Sequence, residues 1–174
     1  VTRYAAFLRG VNVGGVNLKM AAVAQTLHGA GFTDVKTILA SGNVLLSSRA
    51  GAAAVRQRAE QALRDEFGYD AWVLVYDLDT VAAISAAFPF EREVPDHHSY
   101  VTFVSDDEVL QELSGLAQRP GPGELIQGGD GVVYWQAPRA ATLTSAMGRT
   151  MGKKRYKSST TTRNLRTIDK VLRG

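Results

Sequence analysis

The residues best suited to chemistry in this chain are those that hold anions. Late in the sequence, Thr160, Thr161 and Thr162 run directly into Arg163 and Asn164, with Arg166 two positions further on. A threonine hydroxyl there can cap a following helix and join its first N–H groups in holding an oxyanion, while guanidinium groups grip phosphate through paired hydrogen bonds. Near the start, Arg9-Gly-Val-Asn-Val-Gly-Gly-Val-Asn17 joins an apolar run to a helical pattern, a place where backbone amides converge on an anion. The candidate ligands are therefore Arg9, Gly10, Asn12, Gly14, Gly15 and Asn17 in the loop, and Thr161, Thr162, Arg163, Asn164 and Arg166 in the later segment. Ser41 and Asn43 are candidate polar contacts beside the loop.

Each of these has a plainer explanation. Glycines in a strand-to-helix turn can serve the backbone alone. The loop is not a Walker A motif, since Gly14 and Gly15 are followed by Val16 rather than Lys and Ser/Thr, and its glycine spacing does not fit the dinucleotide fingerprint. Ser41, Gly42 and Asn43 are turn residues by type. Lys170 and Arg173 suit the negative end of a helix, whereas Arg163, at the positive end of the same expected helix, calls for a partner.

A proton carrier is harder to find. No carboxylate pair clusters in the sequence, and the adjacent His97 and His98 would point apart in an extended chain. With no cysteine and only one further histidine, no metal site is expected, no cofactor is implied, and no catalytic residue can be assigned. Whether the protein is an enzyme stays open.

Charge is divided unevenly. From Arg139 to Gly174 ten Lys and Arg stand against the single acid Asp169, while residues 1 to 138 hold ten bases and sixteen acids, so the two stretches carry +9 and −6. The overall +3 hides this division. A local positive field of that kind draws anionic partners whatever fold lies beneath it. The 174 residues suit one domain or two small ones, with ordinary globular proportions of 45% hydrophobic and 21% charged residues. The absence of cysteine fits a reducing interior, so a cytoplasmic setting is expected, and no apolar stretch approaches the roughly 20 residues of a membrane span.

The elements that position these groups follow from periodicity. Tyr4 to Leu8 reads as a strand; Met20, Val23, Ala24 and Leu27 mark a helix that Asn17 can cap and Gly29 or Gly31 can end. Val35 to Leu39 and Val44 to Ser47 read as a hairpin, Ala52 to Phe67 as an amphipathic helix stopped by Gly68, and Trp72 to Tyr76 as a fourth strand. That order, β-α-β-β-α-β, is the ferredoxin-like split unit. An RNA-recognition version is disfavoured, because Tyr4 and Phe7 fall on opposite faces and Val44-Leu45-Leu46 has no aromatic. Trp72, Trp135 and Tyr134 are expected to pack in or near the core.

Beyond it come a helix from about Val81 to Phe88, a polar connection through Pro89 to His98, a strand at Tyr100 to Val104, and a helix at Glu108 to Leu116 with Asp106 and Asp107 at its positive end. Glu124 to Gln127 and Val132 to Gln136 form a hairpin, followed by a helix on Leu143 and Met147 and a terminal helix with Leu165, Ile168 and Leu172 on one face. The fold class is thus α+β. A ferredoxin-like subdomain is expected at 1–88, and a second, smaller β-α-β-β-α subdomain with a basic terminal helix at 89–174.

RGVNVGGVNLKM at Arg9 to Met20, GFTDVKT at Gly31 to Thr37, SGNV at Ser41 to Val44 and TTRN at Thr161 to Asn164 together resemble the bacterial family called domain of unknown function 1697. The resemblance implies a two-part α+β fold with a ferredoxin-like N-terminal part and no assigned activity; Leu165 stands where its pattern usually has tryptophan. The leading expectation is an anion-binding module in which the Gly10 to Asn17 loop and the Thr162 to Arg166 helix start share a phosphorylated ligand, a nucleotide or a nucleic-acid backbone. The alternatives are an enzyme acting on a small phosphorylated substrate, with Asn12, Ser41, Asn43 or Asn164 as contacts, and a protein-interaction or self-association domain. No membrane partner is expected.

Overall fold

A computed structural model describes residues 1–11 and 17–174, and the chain divides into two compact units, residues 1–82 with 169–174 and residues 83–168. The fold is α+β, with two four-stranded antiparallel sheets and six α-helices among the described residues.

In the first unit the order is β1 (Thr2–Arg9), α1 (Met20–Gly29), β2 (Thr33–Ile38), β3 (Asn43–Ser48), α2 (Ala52–Phe67) and β4 (Trp72–Asp77). The strands lie in the order β2-β3-β1-β4, each neighbour antiparallel. Alternation along the strands turns Tyr4, Ala6, Leu8, Val44, Leu46, Val73 and Val75 to one face. There they meet Val23 and Leu27 of α1 and Val55, Ala59 and Leu63 of α2 in one buried cluster. Gly68 ends α2 in the left-handed conformation, as its position predicts. Asn17 does not cap α1. The helix starts later, with Lys19 at its N-cap and no side-chain bond there.

α3 (Leu78–Ala86) follows β4 at once, earlier than its apolar pattern suggests, since Asp77 at the strand end accepts from Thr80 N at 2.8 Å and starts the helix there. The second unit continues with β5 (His97–Val104), α4 (Asp107–Ser114), β6 (Leu125–Gly128), β7 (Val132–Pro138), α5 (Ala146–Met151) and β8 (Thr160–Asn164). α6 (Leu165–Arg173) starts in the second unit, and its residues from Asp169 belong to the first. β5 begins three residues sooner than expected because His97 and His98 pair with Pro138 and Ala137. Asp106 caps α4 by accepting from Val109 N.

The main correction is β8. Thr160 to Asn164, expected to cap and open the terminal helix, is a strand paired along its length with β5. Three consecutive β-branched threonines favour the extended backbone once a partner strand is present. The second sheet is therefore complete, with order β6-β7-β5-β8, the same arrangement as in the first unit. A second correction concerns Leu143, which is 84% exposed and not on a packed helix face. α5 starts at Ala146, capped by Ser145 Oγ, and Met147 alone of the expected pair is buried.

Candidate functional site

The first unit holds the loop and turn residues. Arg9 closes β1 half-buried, and burial pushes its guanidinium below the ordinary arginine value without removing its charge. Gly10 has φ +78°, the conformation glycine is suited to, and a Cβ there would meet nothing, so its freedom serves the backbone. Asn12, Gly14 and Gly15 lie outside the described residues. Val11 O accepts from Leu18 N at 3.0 Å, and Asn17 is exposed. Ser41, Gly42 and Asn43 are stitched into the turn before β3. Asn43 is fully buried and donates from Nδ2 to Ile38 O and Ser41 Oγ at 2.9 and 2.8 Å. Gly42, at φ +92°, gives its carbonyl to Leu8 N, and a Cβ there would lie 3.0 Å from that of Leu8.

In the second unit, strand alternation separates the residues of the threonine-arginine segment. Arg163 is 7% exposed and donates from Nη1 to Thr161 Oγ1 at 2.6 Å and to Thr162 O at 3.0 Å. It is not part of α6, so it does not share a helical face with Arg166, Lys170 and Arg173. Thr162 and Asn164 point to the opposite face of the sheet. Thr162 Oγ1 is 2.8 Å from Thr102 Oγ1, which accepts from Trp135 Nε1 at 3.0 Å. Asn164 Oδ1 accepts from Arg166 N at 2.9 Å, so Asn164 rather than a threonine caps α6.

That same face carries a cluster the sequence reading missed. β5 places His98 and Tyr100 two residues apart on it, and Tyr100 lies opposite Asn164 of β8 and Trp135 of β7. The Tyr100 ring stacks on Trp135 at 4.3 Å between centroids and meets His98 edge to face at 5.7 Å. His98 Nδ1 is 2.8 Å from the Tyr100 hydroxyl, and the Thr142 side chain, which donates to Pro138 O at 3.3 Å, lies near enough to act on that hydroxyl. Burial, then the nearby charges of Arg139 and Arg166, hold His98 below the ordinary histidine value. Burial raises Tyr100, with the Thr142 side chain opposing it. Arg139 follows β7, its N–H bonded to Asp96 O at 2.8 Å. Among the described residues no carboxylate pairs with either Arg139 or Arg166.

The cluster joins Asn164 and Arg166 to His98, Tyr100, Arg139 and Thr142, and leaves Arg163 and Thr161 on the other face. Its signal in the sequence was His98-x-Tyr100, the alternation of one strand face, with Arg139 just past the Pro138 that ends the neighbouring strand. His97 does point away, with Nδ1 2.8 Å from Pro95 O. Of the basic stretch, Arg155 is engaged by Glu112 at 2.6 Å, and Tyr156 donates to the same carboxylate at 2.5 Å. Among the described residues no group of three His, Cys, Asp or Glu is placed to hold a metal ion, and no helix is long and apolar enough to cross a membrane.

Residues 1–134 match the family described as Protein of unknown function (DUF1697). The chain belongs to that family. The match ends before β8, so the TTRN segment lies beyond it. No curated protein matches this DUF1697 chain significantly. Among solved structures it is similar to that of the conserved bacterial protein SP0830 from Streptococcus pneumoniae, with a TM-score of 0.79 and 22% identity over 99% of this chain and 97% of that one. At that identity the likeness shows a shared fold.

Proposed function

We propose that this DUF1697 protein binds an oxyanion at the cluster of His98, Tyr100, Arg139, Thr142, Asn164 and Arg166, and that the ligand is phosphorylated. The observation that carries the reading is two guanidinium groups without acid partners, standing beside an imidazole that their charge helps keep neutral. Crowding positive charge onto partly desolvated groups is unfavourable, and a bound anion relieves it. The neutral donors around it, the Asn164 amide nitrogen and His98 Nε2 when Tyr100 donates to Nδ1, suit phosphate oxygens.

Calorimetric titration with inorganic phosphate tests this. Each of Arg139→Ala and Arg166→Ala is expected to weaken binding about tenfold or more, as loss of a charge-assisted hydrogen bond does. Binding unchanged in both variants would remove the proposal. If the ligand is a nucleic-acid backbone, affinity falls steeply with salt through counterion release, whereas a small phosphorylated molecule gives a shallow dependence.

A second reading, an enzyme acting on a small phosphorylated substrate, is favoured by one observation. His98 supplies the proton carrier that the sequence did not reveal, hydrogen-bonded to Tyr100 and beside two cations suited to transition-state charge. Turnover lost in His98→Gln while phosphate binding persists would support it. We also read both units as ferredoxin-like split units in a cytoplasmic protein; the matching strand orders support the first part and the lack of cysteine the second.

A further inference from the structure

We infer that the first unit holds a second, separate anion site, in the open cavity where the start of β2 and the end of β3 meet α2, and that it takes the phosphate ester of a small hydroxylated molecule. The cavity measures about 490 Å³, within the range of small-molecule sites, and its wall includes Thr33, Ser47, Ser48, Arg49 and Arg58. No carboxylate lines it, and among the described residues neither Arg49 nor Arg58 has an ion-pair partner.

The wall is built to donate. Gly31, at φ +99°, turns the chain from α1 toward β2, and the Arg58 guanidinium lies over it, 3.8 Å from where a Cβ would stand. The same guanidinium sits 5.7 Å from the centroid of the Phe32 ring, which holds the charge at the cavity wall. Ser47 Oγ accepts from Arg3 Nη1 and Ser48 Oγ accepts from Ala50 N, each at 3.1 Å. Strand alternation puts Ser48 on the α2 side with its hydroxyl hydrogen left to donate, whereas Ser47, 6% exposed, turns its side chain to the opposite face. Arg3 is itself pinned to Asp34 O at 2.5 Å, so the serine it contacts is held from behind. Two guanidinium groups match a phosphate, and the Ser48 hydroxyl matches an alcohol group of the molecule that carries it.

The test is an amide NMR titration of the full chain with glycerol 3-phosphate, sulfate and glycerol. The Gly31, Ser48 and Arg49 amides are expected to shift saturably with glycerol 3-phosphate, more tightly than with sulfate and not with glycerol. Arg58→Ala, an exposed position where alanine suits the helix, is expected to weaken this binding about tenfold, ~1.4 kcal/mol, with the rest of the spectrum unchanged. Arg49→Ala is expected to act in the same direction, and Arg139→Ala to leave these shifts alone. Sulfate binding as tight as the ester would reduce the site to an adventitious ion only and overturn the ligand class. No saturable shift at these amides, or shifts that survive Arg49→Ala/Arg58→Ala together, would overturn the site. Because the second-unit cluster is read at different residues, failure of either proposal leaves the other standing.

Discussion

The Nδ1 atom of His98 lies 2.8 Å from the Tyr100 hydroxyl oxygen, on the same strand and the same face of the sheet. When Tyr100 donates in this bond, Nε2 carries the imidazole proton and becomes a donor for a ligand. Burial, Arg139 and Arg166 all favour the neutral ring. A histidine whose folded value lies below its unfolded one adds stability that is full above about pH 6.5 and is lost as pH falls through that ordinary value, because the unfolded chain takes the proton first. Arg139→Ala or Arg166→Ala is expected to raise the His98 value, followed by NMR titration of the ring. No upward movement in either variant would show that the arginines do not act on it.

Glu124 ties β6 to α5. It is 4% exposed, and its carboxylate accepts from Gly121 N, Ala146 N and Met147 N at 2.8, 2.8 and 3.1 Å. Glu124→Ala leaves three inward-facing N–H groups without that partner and is expected to cost about 3 kcal/mol, with Glu124→Gln costing less. Chemical denaturation measures both. A loss for Glu124→Ala under about 0.5 kcal/mol, the size of an ordinary surface change, would mean water replaces the carboxylate.

Gly148 has no room for a side chain. A Cβ there would stand 1.9 Å from Thr142 O, a backbone atom that moves only if its segment moves. Gly148→Ala is expected to destabilise by about 2 kcal/mol and to displace the Thr142 segment beside Tyr100. Phosphate affinity at the second-unit cluster should fall with it. Stability lost with affinity intact would separate Thr142 from the site.

Tyr69 tests the first unit by a different route. Burial pushes its hydroxyl up to about 12, with the Arg64 charge opposing. In the unfolded chain the group loses its proton near pH 10, so the stability it contributes is present below that pH and falls as pH rises from about 10 to about 12. Absorbance titration of Tyr69→Phe against the parent is expected to remove one late-titrating group. Removal of a group titrating at the ordinary value would show the hydroxyl to be solvated.

Much of the first unit was legible because its signals are local. The Ala52–Phe67 helix follows from its apolar spacing and the Gly68 stop, and the turn before β3 from Ser41-Gly42-Asn43. The Thr160–Asn164 strand was not legible in the same way. Its residues also suit a helix cap, and the deciding factor is β5, about sixty residues earlier in the chain. One wrong element misplaced Arg163, since a helix would have set it beside Arg166, whereas the strand turns it to the opposite face. Asn164 and Arg166 were found by residue type. His98 and Tyr100 come from one segment and Arg139 and Thr142 from another about forty residues later, and only the register of β5 against β7 and β8 gathers them with Asn164 and Arg166.

The measurement that bears most directly on the anion-binding account is the His98 ring signal during titration with sulfate, which keeps its charge across neutral pH. A bound anion stabilises the imidazolium, so saturating sulfate is expected to shift the ring resonances and raise the His98 value, and Arg139→Ala/Arg166→Ala is expected to abolish both effects. Ring resonances and titration unmoved by sulfate in the parent protein, or moved equally in the double variant, would contradict it.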